Sequence, residues 1–387
     1  MFKRIVNSSN SHSFFLFGPR STGKTTFLKS TYKDKNVLWV NLLESKIETL
    51  LRRKPDSLES LIEAAGKVRF VIIDEVQKNP VLLDVVHRLI VDKKIKFILT
   101  GSSARKLRRN SANLLGGRAF RFDCFPLTHT ELGDSFKLET ILKFGSLPEI
   151  FSLNANDKIL FLRSYIDTYF REEVVAEQLV RNLTPFRNFL EIAAQANGTI
   201  LNINNIAKSL DVDHTTVQNY FSILEDTMLS IQLPPYHTSV RERKMTKNKF
   251  YYFDLGVQRA LSGLLDFDLS EGSHDFGNAF EHFIICEFYR LVRYIKPDWK
   301  LFYLRTSDGA EIDLVIERPR QKILLIEIKS TDDTQTLNQQ KLMGFKSLSA
   351  DIPNSETYLI SRDHVEKKEQ HIHYLHWSKI FLKIGLF

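Results

Sequence analysis

The chain has little cysteine and no long apolar run, and each of these absences excludes a class of protein. Cys124 and Cys286 are its two cysteines, without metal-ligand spacing, so we expect neither a disulfide framework nor a cysteine metal site. No apolar run approaches the roughly 18–20 residues of a membrane span. The N-terminal apolar stretch lacks a small-residue cleavage site, which predicts a first strand and not a signal peptide. We expect a cytoplasmic protein without a membrane partner.

Apolar residues are plentiful enough to build large cores. Hydrophobic residues make up 43% of the 387 residues and charged residues 26%, as in ordinary globular proteins. At roughly 100–200 residues per domain, this length predicts two to four domains. The net charge is +8, which permits an acidic partner such as nucleic acid but does not require one.

Short apolar runs alternate with helix-length segments in the first part of the chain. The runs predict strands at 13–17, 37–42, 68–73 and 95–99. The segments between them predict helices at 23–30, 44–52 and 80–91. This alternation predicts a parallel α/β sheet that helices cover on both faces.

The pattern becomes helical after about residue 125 and mixed again after about residue 250. Helical periodicity covers 137–144, 155–180 and 186–197. A later helix over 278–294 precedes strands near 300–304, 311–316 and 322–328. A second, mixed α/β unit is therefore expected at the C-terminal end.

A phosphate-binding loop is predicted where the first strand meets the first helix. Residues 18–25 read GPRSTGKT, which satisfies the pattern G-x-x-x-x-G-K-[ST]. Its backbone N–H groups would surround phosphate oxygens, Lys24 would reach the β- and γ-phosphates, and Thr25 would ligate Mg²⁺. ATP and Mg²⁺ are thus the predicted cofactors. The nucleotide contacts expected from this loop are Gly18, Pro19, Arg20, Ser21, Thr22, Gly23, Lys24, Thr25 and Thr26.

Two acids follow the apolar strand VIIDE at 71–75. Asp74 would hold the magnesium through water, and Glu75 would act as general base on the attacking water. The next strand leads into TGSS, where Thr100 or Ser102 could orient that water. Capping of a helix by Ser102 or Ser103 is an equally good interpretation. The motifs together predict ATP hydrolysis.

The order GPRSTGKT, VIIDE and ILTGSS resembles that of AAA+ ATPases. The stretches GGRAF, FPLTHTEL and FGSLPEIF further resemble the AAA+ proteins that carry a C-terminal DUF4143 region. The resemblance covers nearly the whole chain. It implies self-association into an oligomer, such as a hexameric ring, and a γ-phosphate-contacting arginine, commonly from a neighbouring subunit. Arg118 in GGRAF is the candidate, and pairing with local carboxylates is the alternative.

A DNA-reading module is predicted in the middle of the chain. Residues 199–228 show two apolar stripes on either side of a turn, as in a helix-turn-helix. Small polar residues open the second helix, where a recognition helix would meet base edges and phosphates. The predicted contacts there are Thr215, Thr216, Gln218 and Asn219.

A basic stretch between two strand-like runs resembles the wing of a winged helix. Its cations would contact DNA phosphates. The alternative is a structural winged helix that only packs domains together. The predicted phosphate contacts are Arg241, Arg243, Lys244, Lys247 and Lys249.

Carboxylates and a lysine recur at strand spacing near the C-terminus. Asp313 lies in an apolar run after the turn SDG, and Glu327 and Lys329 lie two apart in the next run. A period of two puts Glu327 and Lys329 on one strand face, and a hairpin could bring Asp313 to them. Converging carboxylates bind Mg²⁺, which activates water and polarises a phosphodiester, while a lysine stabilises developing charge.

This arrangement looks like the PD-(D/E)xK nuclease fold, although Ile312 replaces the proline before Asp313. The resemblance implies that Glu281 on the preceding helix completes a metal site with Asp313 and Glu327. We therefore expect an AAA+ core at 1–128, a helical lid at 129–185, a winged helix at 186–252 and an α/β restriction-endonuclease-like domain at 253–387.

Three functions fit these motifs. The first is a DNA-binding ATPase coupled to a metal-dependent nuclease. The second is a nucleotide-controlled DNA-binding or assembly protein with a silent nuclease-like domain. The third is a protein-remodelling ATPase whose winged helix docks a protein. The complete set of acids and lysine favours the first, and the basic stretch weighs against the third.

Overall fold

A computed structural model describes residues 2–33, 35–102, 115–171, 180, 182–237 and 247–387. Arg241, Arg243, Lys244 and Ser103 lie outside these ranges. Among the described residues, no helix is both long and apolar enough to cross a membrane.

A five-stranded parallel sheet forms the N-terminal unit, with strand order β2-β3-β4-β1-β5. The strands β1, β3 and β4 are buried along their whole length, as expected when helices cover both faces of a sheet. The strands are β1 (Ser13–Phe17), β2 (Val37–Asn41), β3 (Phe70–Asp74), β4 (Phe97–Gly101) and β5 (Ala119–Asp123). The helices are α1 (Lys24–Thr31), α2 (Ser45–Arg53), α3 (Ser57–Ala64) and α4 (Leu82–Lys93). The predicted parallel α/β unit is confirmed.

Helices dominate the middle of the chain. A reciprocal capping box between Thr128 and Glu131 begins the first of them, which satisfies backbone groups that a helix start leaves unpaired. The first helices are α5 (His129–Leu132), α6 (Leu138–Phe144) and α7 (Ala155–Tyr169). The helical segment predicted over 155–180 is seen as α7 in its first part, and residues 172–179 of the prediction lie outside the described ranges.

Three further helices pack with a small antiparallel sheet of order β6-β8-β7. In chain order these elements are α8 (Leu183–Gln195), β6 (Thr199–Ile200), α9 (Ile203–Leu210), α10 (His214–Asp226), β7 (Ser230–Leu233) and β8 (Lys249–Tyr252). Two helices on either side of a turn were predicted over 199–228, and α9 and α10 lie there. Helix α11 (Leu255–Leu261) follows the sheet.

The C-terminal unit is a six-stranded mixed sheet of order β13-β14-β12-β11-β10-β9. Its strands are β9 (Lys300–Arg305), β10 (Glu311–Glu317), β11 (Ile323–Ile328), β12 (Ser355–Ser361), β13 (Lys367–Glu369) and β14 (Ile372–His376). Its helices are α12 (His274–Ile295), α13 (Gln339–Ala350) and α14 (Ile380–Lys383). Helix α12 buries an apolar stripe formed by Phe280, Phe283, Ile284 and Phe288.

Strand β8 joins the cores of the middle and C-terminal units. Phe250 and Tyr252 pack in the core that α8, α9 and α10 build, whereas Tyr251 packs with α12 and the C-terminal sheet. Side chains alternate between the faces of a strand, so this strand faces both units. The domain boundary predicted after residue 252 therefore lies at the end of a strand, and it does not separate two independent cores.

Candidate functional site

The phosphate-loop sequence forms a tight turn between β1 and α1. Ser21 and Gly23 have positive φ angles of 59° and 87°, a conformation that glycine adopts without strain. Gly18 is required for a different reason, because a Cβ atom there would lie 2.1 Å from the Cys124 carbonyl oxygen. The nine residues assigned to nucleotide contact, 18–26, lie in this turn and the first turn of α1.

Lys24 and Thr25 begin α1 with their side chains directed into the site. The buried Lys24 ammonium donates to the carbonyl oxygens of Gly18 at 2.7 Å and Pro19 at 3.0 Å. The Thr25 hydroxyl donates to Asp74 Oδ2 at 3.0 Å. The turn thus holds a cation beside a hydroxyl–carboxylate pair, and the latter is a donor set that suits Mg²⁺.

Asp74 and Glu75 lie where the carboxyl ends of β3 and β4 meet. The Thr100 hydroxyl donates to Asp74 Oδ1, and the Glu75 backbone N–H donates to Thr100 Oγ1 at 3.1 Å. Glu75 itself has φ 62°, a strained conformation typical of functional positions when it occurs outside glycine. Thr100, one of the two candidates for orienting water, contacts both acids in this structure.

Gln77 is a site residue that sequence reasoning missed. Its buried side-chain amide donates to Glu75 Oε2 and, at 3.2 Å, to Ser102 Oγ. A Cβ atom on Gly101 would lie 2.7 Å from Gln77 Oε1, so the glycine makes room for the amide. The amide therefore links two predicted catalytic residues, and its sequence signal was a glutamine two positions after Glu75.

Arg118 lies on the surface immediately before β5. Its guanidinium donates to the Gly116 carbonyl oxygen at 3.4 Å, within its own turn. The side chain is exposed. Neither role considered for Arg118, contact with a γ-phosphate or pairing with local carboxylates, is seen in this contact.

A cavity of about 450 Å³ adjoins the phosphate loop. Arg4 fixes the N-terminal segment that forms one wall, since it donates to the Thr22 carbonyl oxygen at 2.7 Å and the Phe125 carbonyl oxygen at 2.6 Å and pairs with Glu131 at 2.9 Å. The cavity walls are Phe2, Lys3, Arg4, Gly23, Thr26, Phe27, Ser30, Thr31, Leu127 and Pro148. Sequence reasoning missed this cavity because its walls come from distant segments.

The C-terminal hairpin brings Asp313, Glu327 and Lys329 together, as predicted. Strands β10 and β11 are antiparallel with Leu314 opposite Ile326, so Asp313 faces Glu327 one step further along. Asp313 Oδ2 accepts from the Ile328 backbone N–H at 2.8 Å, and the Lys329 ammonium donates to Glu327 Oε1 at 2.5 Å. Glu327 Oε2 is buried, and no described residue forms a hydrogen bond with it.

Burial and mutual repulsion disfavour the ionised form of both carboxyls. Burial, followed by the charge of Glu281, raises the pKa of Asp313 to about 6. Burial, followed by the charge of Asp313, raises the pKa of Glu327 to about 8. A nearby cation would relieve this cost, and Lys329 supplies one positive charge.

Glu281 on α12 is bound by side chains from β8. Its Oε1 accepts from the Lys249 ammonium at 2.9 Å and from the Tyr251 hydroxyl at 2.5 Å. Lys249 also donates to Glu311 at 2.8 Å. Within the described parts of the chain, no three His, Cys, Asp or Glu side chains are arranged to hold a metal ion.

The prediction that Lys249 contacts DNA phosphates is wrong for this structure. Lys249 is 5% exposed, because it begins β8 on the strand face that packs against the C-terminal unit. A lysine so buried is stable only when paired, and two carboxylates pair with it here. Lys247, two residues earlier, is exposed.

The start of α10 displays most of the predicted recognition residues. Thr215, Gln218 and Asn219 are exposed. Thr216 is instead part of the helix cap, since its backbone N–H donates to Asp213 Oδ1 at 2.8 Å and its hydroxyl donates to Oδ2 at 2.6 Å. The polar surface predicted here therefore exists, with Thr216 in a structural role.

A parallel sheet with a phosphate loop after β1 and acids after β3 defines a P-loop domain of the AAA type. Comparison with known families agrees: the AAA domain family matches residues 10–133 and DUF4143 matches residues 276–380. A domain of unknown function, DUF8612, matches residues 135–268. The chain thus carries an AAA domain at its N-terminus and DUF4143 at its C-terminus, and that prediction is confirmed.

Related proteins align with this chain over most of its length. An uncharacterized protein of Mycobacterium tuberculosis is 28% identical over 306 residues, which are 78% of this chain and 67% of the relative. An uncharacterized protein of Methanocaldococcus jannaschii is 24% identical and spans 91% of this chain and 83% of its own length. Among solved structures, a Walker-type ATPase of Pyrococcus abyssi is similar with a TM-score of 0.45, at 14% identity over 64% of this chain and 90% of that one.

Proposed function

We propose that this protein binds ATP with Mg²⁺ and hydrolyses it at the phosphate loop. The observation that carries the proposal is the 3.0 Å contact between the Thr25 hydroxyl and Asp74, beside the buried Lys24 ammonium. A hydroxyl and a carboxylate at this position fit Mg²⁺, and a lysine fits the β- and γ-phosphates. Mg²⁺ would neutralise charge on the phosphates, which lowers the barrier to their transfer.

The cavity beside the loop is a fitting site for the nucleotide base. Phe2, Phe27, Leu127 and Pro148 give it apolar walls, and a planar base is stabilised by such contact. Gly23 and Thr26 belong both to the cavity and to the phosphate loop. A nucleotide could therefore fill the cavity with its base while its phosphates lie in the loop.

Glu75 is the proposed general base. Its carboxylate is held by the Gln77 amide and its backbone by Thr100, so its position is set from two sides. A carboxylate fixed beside a bound phosphate can orient and deprotonate water. Ser102 lies on the same amide and is proposed to help order that water.

Phosphate release from ATP tests this proposal, with Mg²⁺ present and then removed by a chelator. Turnover that stops on chelation and returns with added Mg²⁺ supports it. Wild-type protein that binds ATP but releases no phosphate under any condition contradicts hydrolysis, and protein that binds no nucleotide contradicts the whole assignment.

We further propose that the unit α8–β6–α9–α10–β7–β8 is a winged helix that binds DNA. Its chain order of helices and strands and its antiparallel three-stranded sheet support this interpretation. Exposed polar residues at the start of α10 would meet base edges, and cations of the β7–β8 connection would meet phosphates. Docking of a protein partner is the competing outcome.

Charge reversal in the β7–β8 connection should weaken DNA binding at all sequences. We expect the triple variant Arg243→Glu, Lys244→Glu, Lys247→Glu to bind duplex DNA at least about tenfold more weakly, since each phosphate contact releases counterions. The slope of log affinity against log salt should fall by about one for each lost contact. Fluorescence anisotropy over a salt series measures both.

A matched control reverses three exposed lysines of the N-terminal unit: Lys46→Glu, Lys54→Glu, Lys67→Glu. This control changes the net charge equally but should leave the salt slope near wild type. Equal losses in both triple variants would show a net-charge effect alone. Unchanged affinity in the first variant would leave this unit as a packing or protein-docking module.

Metal-dependent DNA cleavage by the C-terminal unit is the second candidate function. Two observations favour it: Asp313 and Glu327 converge with Lys329, and Glu327 Oε2 has no hydrogen-bond partner among the described residues. Incubation of wild-type protein with duplex DNA, DNA with free ends or branched DNA, in the presence of Mg²⁺ or Mn²⁺, tests it. Cleavage supports a nuclease; intact DNA in every condition supports the silent-domain alternative.

We propose that the active form is an oligomer, a ring of six being one arrangement, in the cytoplasm. The exposed Arg118 supports this, because an arginine that serves the γ-phosphate of a neighbouring subunit must lie on the surface.

A further inference from the structure

The C-terminal carboxylates receive a cation from a different unit of the same chain. Lys249, the first residue of β8, reaches both Glu281 on α12 and Glu311 on β10. The charge of Asp313 also acts on Lys249. One ammonium therefore lies among acids contributed by two elements of the C-terminal unit.

The contacts that hold β8 in this place are extensive. Tyr251, two residues on, donates its hydroxyl to Glu281. The ends of the β7–β8 connection are fixed to β9, since the Tyr303 hydroxyl donates to the Lys247 carbonyl oxygen at 2.6 Å and the Tyr236 backbone N–H to the Tyr303 carbonyl oxygen at 2.6 Å. The packing of β8 against the C-terminal unit therefore places Lys249 beside the acids.

The acid cluster has capacity for a further cation. Glu327 is 6% exposed, and within the part of the chain that the structure describes nothing hydrogen-bonds to its Oε2. Asp313 is 8% exposed, and its Oδ2 accepts a hydrogen bond from the Ile328 backbone N–H. A buried carboxylate oxygen without a partner is costly, and cation binding is one way to satisfy it.

We propose that Lys249 is a built-in counter-ion that competes with a divalent cation for the cluster of Glu281, Asp313 and Glu327. Glu281 Oε1 already accepts from Lys249 and Tyr251, and two cations beside the same carboxylates repel each other, so binding of the metal ion and docking of Lys249 oppose each other. The proposal rests on the cation-binding role proposed for Asp313 and Glu327, and on neither ATP hydrolysis nor DNA cleavage.

Removal of the ammonium should strengthen metal binding. Lys249→Met keeps the length of the side chain but not its charge. We expect nucleotide-free Lys249→Met protein to bind Mn²⁺ roughly 5–150 times more tightly than wild type, the range of ordinary coupling between two ligands. Isothermal titration calorimetry measures the affinity. Lys300→Met is the matched control, because Lys300 also begins a strand but is exposed.

The double variant Lys249→Met, Asp313→Asn locates the bound ion. Loss of the added affinity in the double variant supports the proposal. Retention of that affinity places the ion elsewhere and overturns it. If neither wild type nor folded Lys249→Met binds Mn²⁺, the cluster is not a metal site, and this outcome leaves ATP turnover untouched, so it is distinguishable from failure of the ATPase proposal.

A measurement on wild type covers the case in which the variant does not fold. Acetylation of the Lys249 amine, followed by mass spectrometry, should be slow without metal and severalfold faster at saturating Mn²⁺, by the reciprocity of coupled binding. Asp313→Asn protein should show no acceleration. Mn²⁺ that binds in wild type, but not in Asp313→Asn protein, without speeding the labelling of Lys249 would overturn the competition.

Discussion

Arg118→Ala should lower steady-state ATP turnover by a factor on the order of 10³–10⁵, the contribution of an arginine that stabilises charge on the transferred phosphoryl group. Nucleotide binding should stay near wild type, because the Arg118 side chain is exposed and donates to a carbonyl oxygen of its own turn. Turnover and nucleotide affinity are measured on the same preparation. Arg53→Ala, an exposed arginine at the end of α2, is the matched control and should turn over normally.

Mixing experiments decide whether Arg118 acts across a subunit boundary. Arg118→Ala and Lys24→Ala proteins should each be inactive alone. Mixed oligomers contain some boundaries with an intact phosphate loop on one side and an intact arginine on the other, so part of the activity should return. Mutants that co-assemble but recover nothing would show that Arg118 acts within its own subunit or not at all.

Glu75→Gln should bind ATP normally but hydrolyse it about 10²–10⁴ times more slowly, because the amide cannot take a proton from water. The fold should survive, since glutamine can still contact the Gln77 amide. Lys24→Ala should instead weaken binding: nucleotide affinity should fall on the order of ten- to hundredfold, because charged hydrogen bonds to the phosphates are lost. Equilibrium binding and single-turnover phosphate release separate the two effects.

Asp84→Asn controls for a general loss of negative charge, because Asp84 is exposed on α4 of the same unit. It should match wild type in both assays. Normal turnover by Glu75→Gln protein would remove Glu75 from the role of general base. Unchanged affinity in Lys24→Ala protein would remove the phosphate contact.

The parts of the fold that the sequence predicted best are determined by residues that lie close together in the chain. The strand, turn and helix around residues 18–25 follow from an apolar run, two glycines and a helix start within one short segment. The meeting of Asp313 with Glu327 and Lys329 follows from the period of a strand and one hairpin. Both could be predicted because the residues concerned are close in the chain.

The features that the sequence did not predict depend on contacts between segments that are far apart in the chain. Lys249 belongs to a basic stretch, and nothing in the residues KFYY shows that one face of the strand packs on α12 while the other packs on α8–α10. The cavity beside the phosphate loop likewise needs Phe2, Leu127 and Pro148 to meet. Gln77 was locally visible, but its link to Ser102 depends on the pairing of β3 with β4.

The structure of the Glu75→Gln protein with ATP and Mg²⁺ tests the central claim most directly. We predict that the Lys24 ammonium leaves the Gly18 and Pro19 carbonyl oxygens for the β- and γ-phosphates, that Mg²⁺ lies on the Thr25 hydroxyl with Asp74 beside it, and that the base lies between Phe2 and Pro148. A nucleotide bound elsewhere, with Lys24 still on those carbonyl oxygens, would contradict the account.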